Sequence, residues 1–308
     1  SKKNPNLKRE IKQWGNAVFL NKAKITIKSK ITNTAILLLG KPESEHFINP
    51  ATSRITWILK NADNIEKDYE HFNAPLLLNV EKVYAKIRNL KYRYIKDETL
   101  FPEEVDQYDP YIIREAINNC IAHQDYTLGG KIFVVENENS SLTFVNSGSF
   151  IPESVEQVIK TDAPETQYRN KFLADAMVNL NMIDTIGSGI KRMFTIQRKK
   201  FFPLPEYNLT NNKVKLSILG KILDLNYARK IAQIPDMSLD IIILLDKVAK
   251  KKTLKSEEIK LLKTKKLIEG RKPNFYISSK VAIATNQKGD YIKMRGFKDE
   301  HYKKMILD

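Results

Sequence analysis

REAINNCIAHQDY, residues Arg114–Tyr126, is the stretch around which the rest of the chain is organised. Glu115, Asn119 and His123 recur in it at i, i+4 and i+8. On an α-helix that spacing drifts by about 40° per step, so the three side chains form one narrow stripe. Ile112, Ile113, Ala116, Cys120 and Ile121 lie on the other side and read as a buried stripe. The pattern predicts an amphipathic helix with a carboxylate, an amide and an imidazole in a row. Such a row suits a place where a metal-bound polyphosphate meets water. The amide oxygen can ligate a hard cation such as Mg²⁺. The carboxylate can hold or deprotonate a water. The imidazole can donate, accept or carry charge. The alternative reading of this stretch alone is an ordinary amphipathic helix whose polar face holds three useful residue types.

Two segments further on are built for tight turns near a ligand. Leu142–Phe150, LTFVNSGSF, reads as a strand followed by Asn146-Ser147-Gly148. Asp184–Met193, DTIGSGIKRM, is a Gly-x-Gly at the start of a basic helix. Glycines let backbone N–H groups approach phosphates, and a helix N-terminus favours anions.

In this order, the three segments resemble the GHKL ATPase-like fold. The variant is that found at the C-terminal part of proteins often labelled RecG-like, usually after a Schlafen/AlbA-type DNA-binding domain. The resemblance spans roughly 72–220. It implies that Asn119 binds Mg²⁺ and that Glu115, the residue expected to be catalytic, activates water. The variant family extends this motif with His123, Asp125 and Tyr126, all present here. The next motif, usually Asn-Pro-Gly, is matched by Asn146-Ser147-Gly148. The last is matched by Gly187, Gly189 and Ile190. One departure stands out: typical GHKL ATPases read adenine with an Asp at the second motif, whereas Asn146 stands here, and Phe150 replaces the second glycine. An amide still accepts the adenine hydrogen bond, but without charge assistance.

The 308 residues carry 42% hydrophobic and 29% charged side chains, the make-up of globular material with room for two or three domains. The net charge of +16 favours an anionic partner, nucleic acid before a membrane surface. A basic but merely solvated surface is the bland alternative. The single cysteine, Cys120, precludes an intrachain disulfide and a cysteine-rich zinc site. That fits a reducing cytosol, and a cytoplasmic location with no membrane partner is expected. No apolar run approaches 18 residues. A Gly-x-x-x-x-Gly-Lys-Ser/Thr segment is absent, since Gly40-Lys41 is followed by Pro42, so a helicase label gains nothing from a P-loop.

In the N-terminal part, 22–30 alternate as in a strand and 32–40 are apolar. They resemble the tail of the AlbA-type domain, and the chain reads as a fragment beginning inside or just after it. Two strands with a polar turn are expected over 53–72, with Trp57 in the core. A helix is expected over 79–94 and an acidic linker over 98–110. A hairpin is expected over 131–145, then helices from Pro152 and over 172–180, with 160–167 as a lid. Arg169 and Lys171 are candidate phosphate contacts, with plain surface charge as their alternative. A connector over 202–207 and a closing strand over 213–219 complete the region.

After Gly220 the composition shifts: 221–308 hold 21 Lys and Arg against 11 Asp and Glu. Ser238 and Ser256 each suit a helix N-cap, the second helix turning Ile259, Leu261 and Leu262 inward. Strand-turn-strand follows over 267–278. Helix plus basic hairpin resembles a winged helix, with Lys263, Lys265, Lys266, Arg271 and Lys272 as candidate DNA contacts. Lys251–Lys255 leaves little room for the usual middle helix, and a small packing or dimerisation module is the alternative. Residues 280–308, poor in apolar side chains, read as an extension toward a further module.

The expected fold is α/β (α+β): a GHKL-type sandwich of a mixed sheet and helices, followed by a winged-helix-like module. The expected divisions are 1–71, 72–220 and 221–308. The expected function is an ATP-responsive, double-stranded-DNA-binding regulator, forming a homo-oligomer and using ATP and Mg²⁺. Adenine would meet Asn146, and the phosphates Gly187 and Gly189, with His123, Asp125 and Gly148 as further nucleotide-binding candidates. The rivals are an ATPase defined by turnover, a degenerate scaffold that binds no nucleotide and only dimerises a DNA-binding protein, and a component of a nucleic-acid-processing or defence assembly.

Overall fold

The computed structural model describes residues 5–95, 102–152, 154–161, 168–183, 188–200, 202–221, 238–285 and 288–295. The chain folds as two compact units. The first comprises Ser1–Val155, Asp162–Met193 and Pro205–Gly220; the second comprises Glu156–Thr161, Phe194–Leu204 and Lys221–Asp308.

A six-stranded mixed sheet forms the centre of the first unit. Its strands are β3 (Arg54–Lys60), β4 (Glu66–Asn73), β7 (Ile132–Asn137), β8 (Ser141–Ser147), β9 (Glu206–Asn208) and β10 (Lys213–Leu219). Their order is β4-β3-β7-β8-β10-β9. Only the β3–β7 pairing is parallel. Strands β3 and β4 arise N-terminal to the ATPase-like resemblance, yet they belong to the same sheet.

Alternation explains which side is covered. Ile55, Trp57 and Leu59 on β3 are buried, as are Ile132 and Val134 on β7, Leu142 and Phe144 on β8, and Leu216 and Ile218 on β10. A period of two puts such residues on one face of each strand. Two helices meet the sheet: α4 (Leu76–Lys86) packs against β3 and β4, and α5 (Pro110–His123) against β7 and β8. Edge strand β4 is exposed from Glu66 to His71, and Glu66, Lys67, Asp68 and Glu70 blunt it against pairing with another chain.

One buried charge is fully engaged. Glu136, 2% exposed, accepts from Trp57 Nε1 at 3.2 Å, Arg88 N at 3.2 Å and Arg88 Nε at 2.8 Å. A buried carboxylate persists when its oxygens are satisfied in this way.

The N-terminal part is more helical than its sequence suggests. Helices α1 (Pro5–Gln13) and α2 (Asn16–Lys22) precede, and α3 (Asn33–Leu39) follows, a hairpin of β1 (Thr26–Ile27) and β2 (Lys30–Ile31), only two residues a side. The alternation expected across 22–30 is thus cut short. Lys28 and Ser29 have positive φ, and Asn21 Oδ1 accepts from Thr26 Oγ1 and Ser29 N across the turn. The helix expected to reach residue 94 ends at Lys86. Residues 91–95 instead form β5 (Lys91–Ile95), paired antiparallel with β6 (Pro102–Asp106), where an acidic linker was expected.

In the second unit, α9 (Leu239–Ala249), α10 (Ser256–Thr264), the hairpin of β11 (Ile268–Arg271) and β12 (Asn274–Ile277), and helices α11 (Ser279–Ala284) and α12 (Lys288–Arg295) share one core. Leu245, Val248, Leu262, Ile277, Ala282 and Ile292 are among its buried members. Residues 279–285 and 288–295 therefore complete this core instead of extending away from it. Residues 250–255 join α9 to α10 with no helix between them. Ser256 is the first helical residue and not the cap; Lys255 N donates to Glu258 Oε2 at 2.7 Å, and that bond closes the helix start. Leu261 stays 36% exposed, while Leu262 points inward.

Candidate functional site

Helix α5 begins where sequence chemistry favours it. Asp109 caps it, accepting from Tyr111 N at 3.0 Å, and Pro110 occupies the first turn, where a missing N–H costs nothing. Ile112, Ile113, Ala116, Ile117, Cys120, Ile121 and Ala122 are buried. Glu115, Asn119 and His123 remain half-buried between them, which is the stripe expected from their spacing. Asn119 Nδ2 donates to Glu115 Oε1 at 3.2 Å. The amide nitrogen faces the carboxylate, and one turn of helix separates the two oxygen donors suited to a hard cation.

Helix α8 (Gly189–Lys199) starts against this stripe. A Cβ on Gly189 would collide with the Glu115 carboxylate. Glycine is required here for close approach, since the Glu115 side chain fills the space a side chain would take. The carboxylate therefore lies at the positive end of a helix, where negative charge is favoured. Gly187 and the 162–167 part of the expected lid lie outside the described residues. Arg192, one turn into α8, stacks its guanidinium 3.9 Å from the Tyr111 ring centroid and ties α8 back to the first turn of α5.

Tyr207 of β9 had no role in the sequence reading. Burial, and then the nearby Glu115 charge, push its phenol well above the ordinary range. Its ring lies 6.1 Å from that of Phe150, the residue standing where a second motif glycine is usual.

A second cluster forms where α5 ends. Gln124, fully buried, donates to Gly130 O at 2.6 Å and accepts from Ser147 N at 2.8 Å. Asp125 N donates to Ser147 O at 2.8 Å. These bonds fasten the end of α5 to the end of β8. Asp125 Oδ1 accepts from Thr127 N and Oγ1, and Oδ2 lies 3.3 Å from Arg169 Nη1. Arg169 Nη2 donates to Ser149 O at 2.9 Å and Ser149 Oγ at 3.0 Å. Arg169 Nε is buried without a hydrogen-bond partner. Gly148, at φ 112°, sits beneath this pair, and a Cβ there would lie 3.0 Å from Asp125 Cβ and 3.1 Å from Arg169 Nε. Asn170 Nδ2 donates to Ala122 O and Gln124 O, anchoring the start of α7 (Lys171–Asn179). The ring of Tyr168 stacks on His123 at 5.7 Å.

Among the sequence candidates, the structure brings Glu115, Asn119 and Gly189 together, and separately Asp125, Gly148 and Arg169. Asn146 is buried on the face of β8 that carries Leu142 and Phe144, and its Nδ2 donates to Ser147 O at 3.2 Å. Lys171 is exposed at the first residue of α7. No group of three His, Cys, Asp or Glu side chains that could hold a metal occurs among the described residues. A cation here would take two protein oxygens at most from the stripe, with phosphate and water completing its shell, as is usual for Mg²⁺. Gln124, Tyr168, Asn170 and Tyr207 join these clusters without a sequence signal, because each is brought in by the chain path and not by a local motif.

Residues 132–218, from β7 to β10, match the family described as "Putative ATP-dependent DNA helicase recG C-terminal". For that part of the chain the match supports a RecG-like, ATPase-type family. Helix α5 precedes the matched stretch. No curated protein matches the chain. The fold is similar to the crystal structure of the DIP2311 protein from Corynebacterium diphtheriae, with a TM-score of 0.60 at 14% identity. The similarity covers 90% of this chain and 60% of that one, so the chain spans less than two thirds of its structural neighbour. No helix among the described residues is long and apolar enough to cross a membrane.

Proposed function

We propose that this chain is an ATP-responsive DNA-binding regulator: ATP-Mg²⁺ at the α5–α8 site sets its state, and the basic second unit carries the contact with DNA. The observation that carries the reading is the closeness of Glu115, which accepts from Asn119 Nδ2, to Gly189. A carboxylate and an amide beside a helix N-terminus offer a cation ligand, a water-holding group and a favourable place for phosphate oxygens. Asn119 would hold Mg²⁺ and Glu115 would position water, while Arg169 offers a guanidinium beside Gly148. A bound nucleotide would supply the phosphate oxygens that complete the shell of such a cation.

The scaffold reading, in which the fold binds no nucleotide, is favoured by one feature of its own. Asn146, the residue that would read adenine, is buried at 4% exposure, and Phe150 stands where a motif glycine is usual, its ring 6.1 Å from that of Tyr207. A titration of ATP with Mg²⁺, read as a shift in melting temperature, separates the two. Ligand that binds only the native state must raise it, by about 2.7 kcal/mol of added stability at a hundredfold excess over Kd. Asn119→Ala should abolish the rise. Glu115→Gln should keep the rise and remove any turnover, because an amide cannot take a proton. No shift in the unaltered protein at millimolar ATP-Mg²⁺ favours the scaffold.

A further inference from the structure

The second unit holds a cavity of about 550 Å³ that the nucleotide reading does not use and that shares only Lys272 with the cluster assigned to duplex DNA. Its walls come from the α9–α10 turn, the start of α10 and the β11–β12 hairpin. Lys251, Lys252 and Lys272, all exposed, line it. Leu254, Ile259, Phe275 and Tyr276 supply apolar and aromatic surface. Asn274 and Thr253 add an amide and a hydroxyl. The volume falls within the usual range for small-ligand sites.

The aromatic wall is fixed before any ligand arrives. Gly270, at φ 93°, pairs with Phe275, and a Cβ there would lie 3.0 Å from the Tyr276 ring. The Tyr276 ring therefore lies over a residue with no side chain, and its edge meets Tyr291 at 6.0 Å. Lys263 Nζ sits 5.2 Å from the Phe275 ring centroid and braces it. Two exposed lysines, Lys251 and Lys272, on the walls of one cavity suit a phosphate, which brings more negative charge than a single carboxylate. Flat aromatic surface calls for a planar ring. An amide and a hydroxyl suit the polar edge of such a ring. Phosphate and heterocyclic base together meet all three demands, as in sequence-tolerant binding of unpaired strands.

We infer that this cavity takes one unpaired nucleotide, its base against Phe275 and its phosphate between Lys251 and Lys272. The inference rests on the reading of the second unit as a nucleic-acid-binding module and adds the kind of nucleic acid it prefers: a duplex with a free single-stranded end. A free nucleotide offers the same chemistry, and the test separates the two sources.

The full chain is titrated with a blunt duplex, with the same duplex carrying a short thymidine overhang, and with thymidine 5′-monophosphate as competitor. The overhang should tighten binding about tenfold. Thr253→Trp, which puts an indole into the cavity without removing charge, should erase that gain and leave the blunt duplex unaffected. Lys251→Ala with Lys272→Ala should also lower the gain severalfold. Should the indole unfold the module, seen as a lost melting transition, Lys251→Glu, at an exposed lining residue outside the cluster assigned to duplex DNA, replaces it, with the same loss expected. Competition by millimolar monophosphate points to the free nucleotide as the occupant; competition only by overhang strand points to the chain end. If the blunt duplex binds but the overhang adds nothing, the cavity assignment is wrong and the module reading stands. If a folded Thr253→Trp protein keeps the whole gain, the strand runs over plain surface charge and the assignment is again wrong. If no nucleic acid binds, the module reading itself falls and takes the cavity assignment with it.

Discussion

The carboxylate of Glu115 lies so close to Gly189 that any side chain at residue 189 would overlap it. Two motifs far apart in sequence thus meet at one point, and the contact has a measurable price in stability. Gly189→Ala should destabilise the protein by about 1–3 kcal/mol, the usual cost of forcing extra atoms into a filled space. The clashing atoms are the far end of a flexible side chain, which places the effect toward the lower end. In a Glu115→Ala background the same change should cost at least about 0.5 kcal/mol less, since residues in contact couple by that much or more. Urea denaturation of the four proteins measures the cycle. Equal costs in both backgrounds would show that the two residues do not touch.

A glycine of a different kind holds the second cluster. Gly148 sits at φ 112°, a conformation that L side chains rarely adopt, with Asp125 and Arg169 directly above it. Gly148→Ala therefore combines backbone strain with displacement of the Asp125–Arg169 pair. A loss of about 2 kcal/mol or more is expected. Arg169→Lys keeps the positive charge but lacks the planar fork that reaches both Asp125 and Ser149, and should cost less. Thermal melts rank the two. A Gly148→Ala protein as stable as the parent would mean that the chain turns differently at this point.

The stripe on α5 was legible because it depends only on helical period. The sheet was legible where alternation was strong: β3, β7, β8 and β10 bury residues at every second position. What escaped were elements whose identity comes from a partner. Strand β5 follows a helix and continues its charged, aromatic composition, while β6 (PEEVD) has the composition of a linker; each is a strand because it pairs with the other. Helices α11 and α12 escaped for a related reason. Val281, Ala282, Tyr291 and Ile292 are too few and too dispersed to signal a core in sequence, and they become one only against Leu245 and Ile277. Of the site, the donors were legible and their neighbours were not. Tyr207 is placed by the β10–β9 pairing at the sheet edge, where the Glu115 charge acts on its phenol, and no local pattern announces that pairing.

The lone cysteine gives a pH dependence with a definite sign. Burial raises the Cys120 thiol from 9.0 to about 12. The folded state therefore prefers the neutral thiol, and the unfolded chain ionises first as pH rises. Stability from this group is fully present below about pH 9 and declines as pH climbs toward 12. The slope approaches about 1.4 kcal/mol per pH unit in that window. Cys120→Ala should flatten the decline. In the native protein at pH 8 a thiol reagent should react only at the rate of opening, and at once in denaturant. Fast labelling of the folded protein would place Cys120 outside the core.

Ten of the sixteen excess positive charges lie in 221–308, and five of the basic residues there frame α10 and the hairpin. Lys263 ends α10, Lys265 and Lys266 follow it directly, and Arg271 and Lys272 lie at the β11–β12 turn. All five are exposed, so none is held in place by burial. Each such contact on duplex DNA releases counterions and contributes about 0.9 to the slope of log K against log salt. Arg271→Ala with Lys272→Ala should therefore weaken binding to all duplex sequences alike and flatten the slope by nearly two if both meet phosphate. Alanine at Lys263, Lys265 and Lys266 should flatten it further without changing which sequence is preferred. Loss of preference among sequences with an unchanged slope would mean that these side chains read bases instead. Unchanged affinity and slope in both variants would leave the cluster as solvated surface and move any DNA site to other residues.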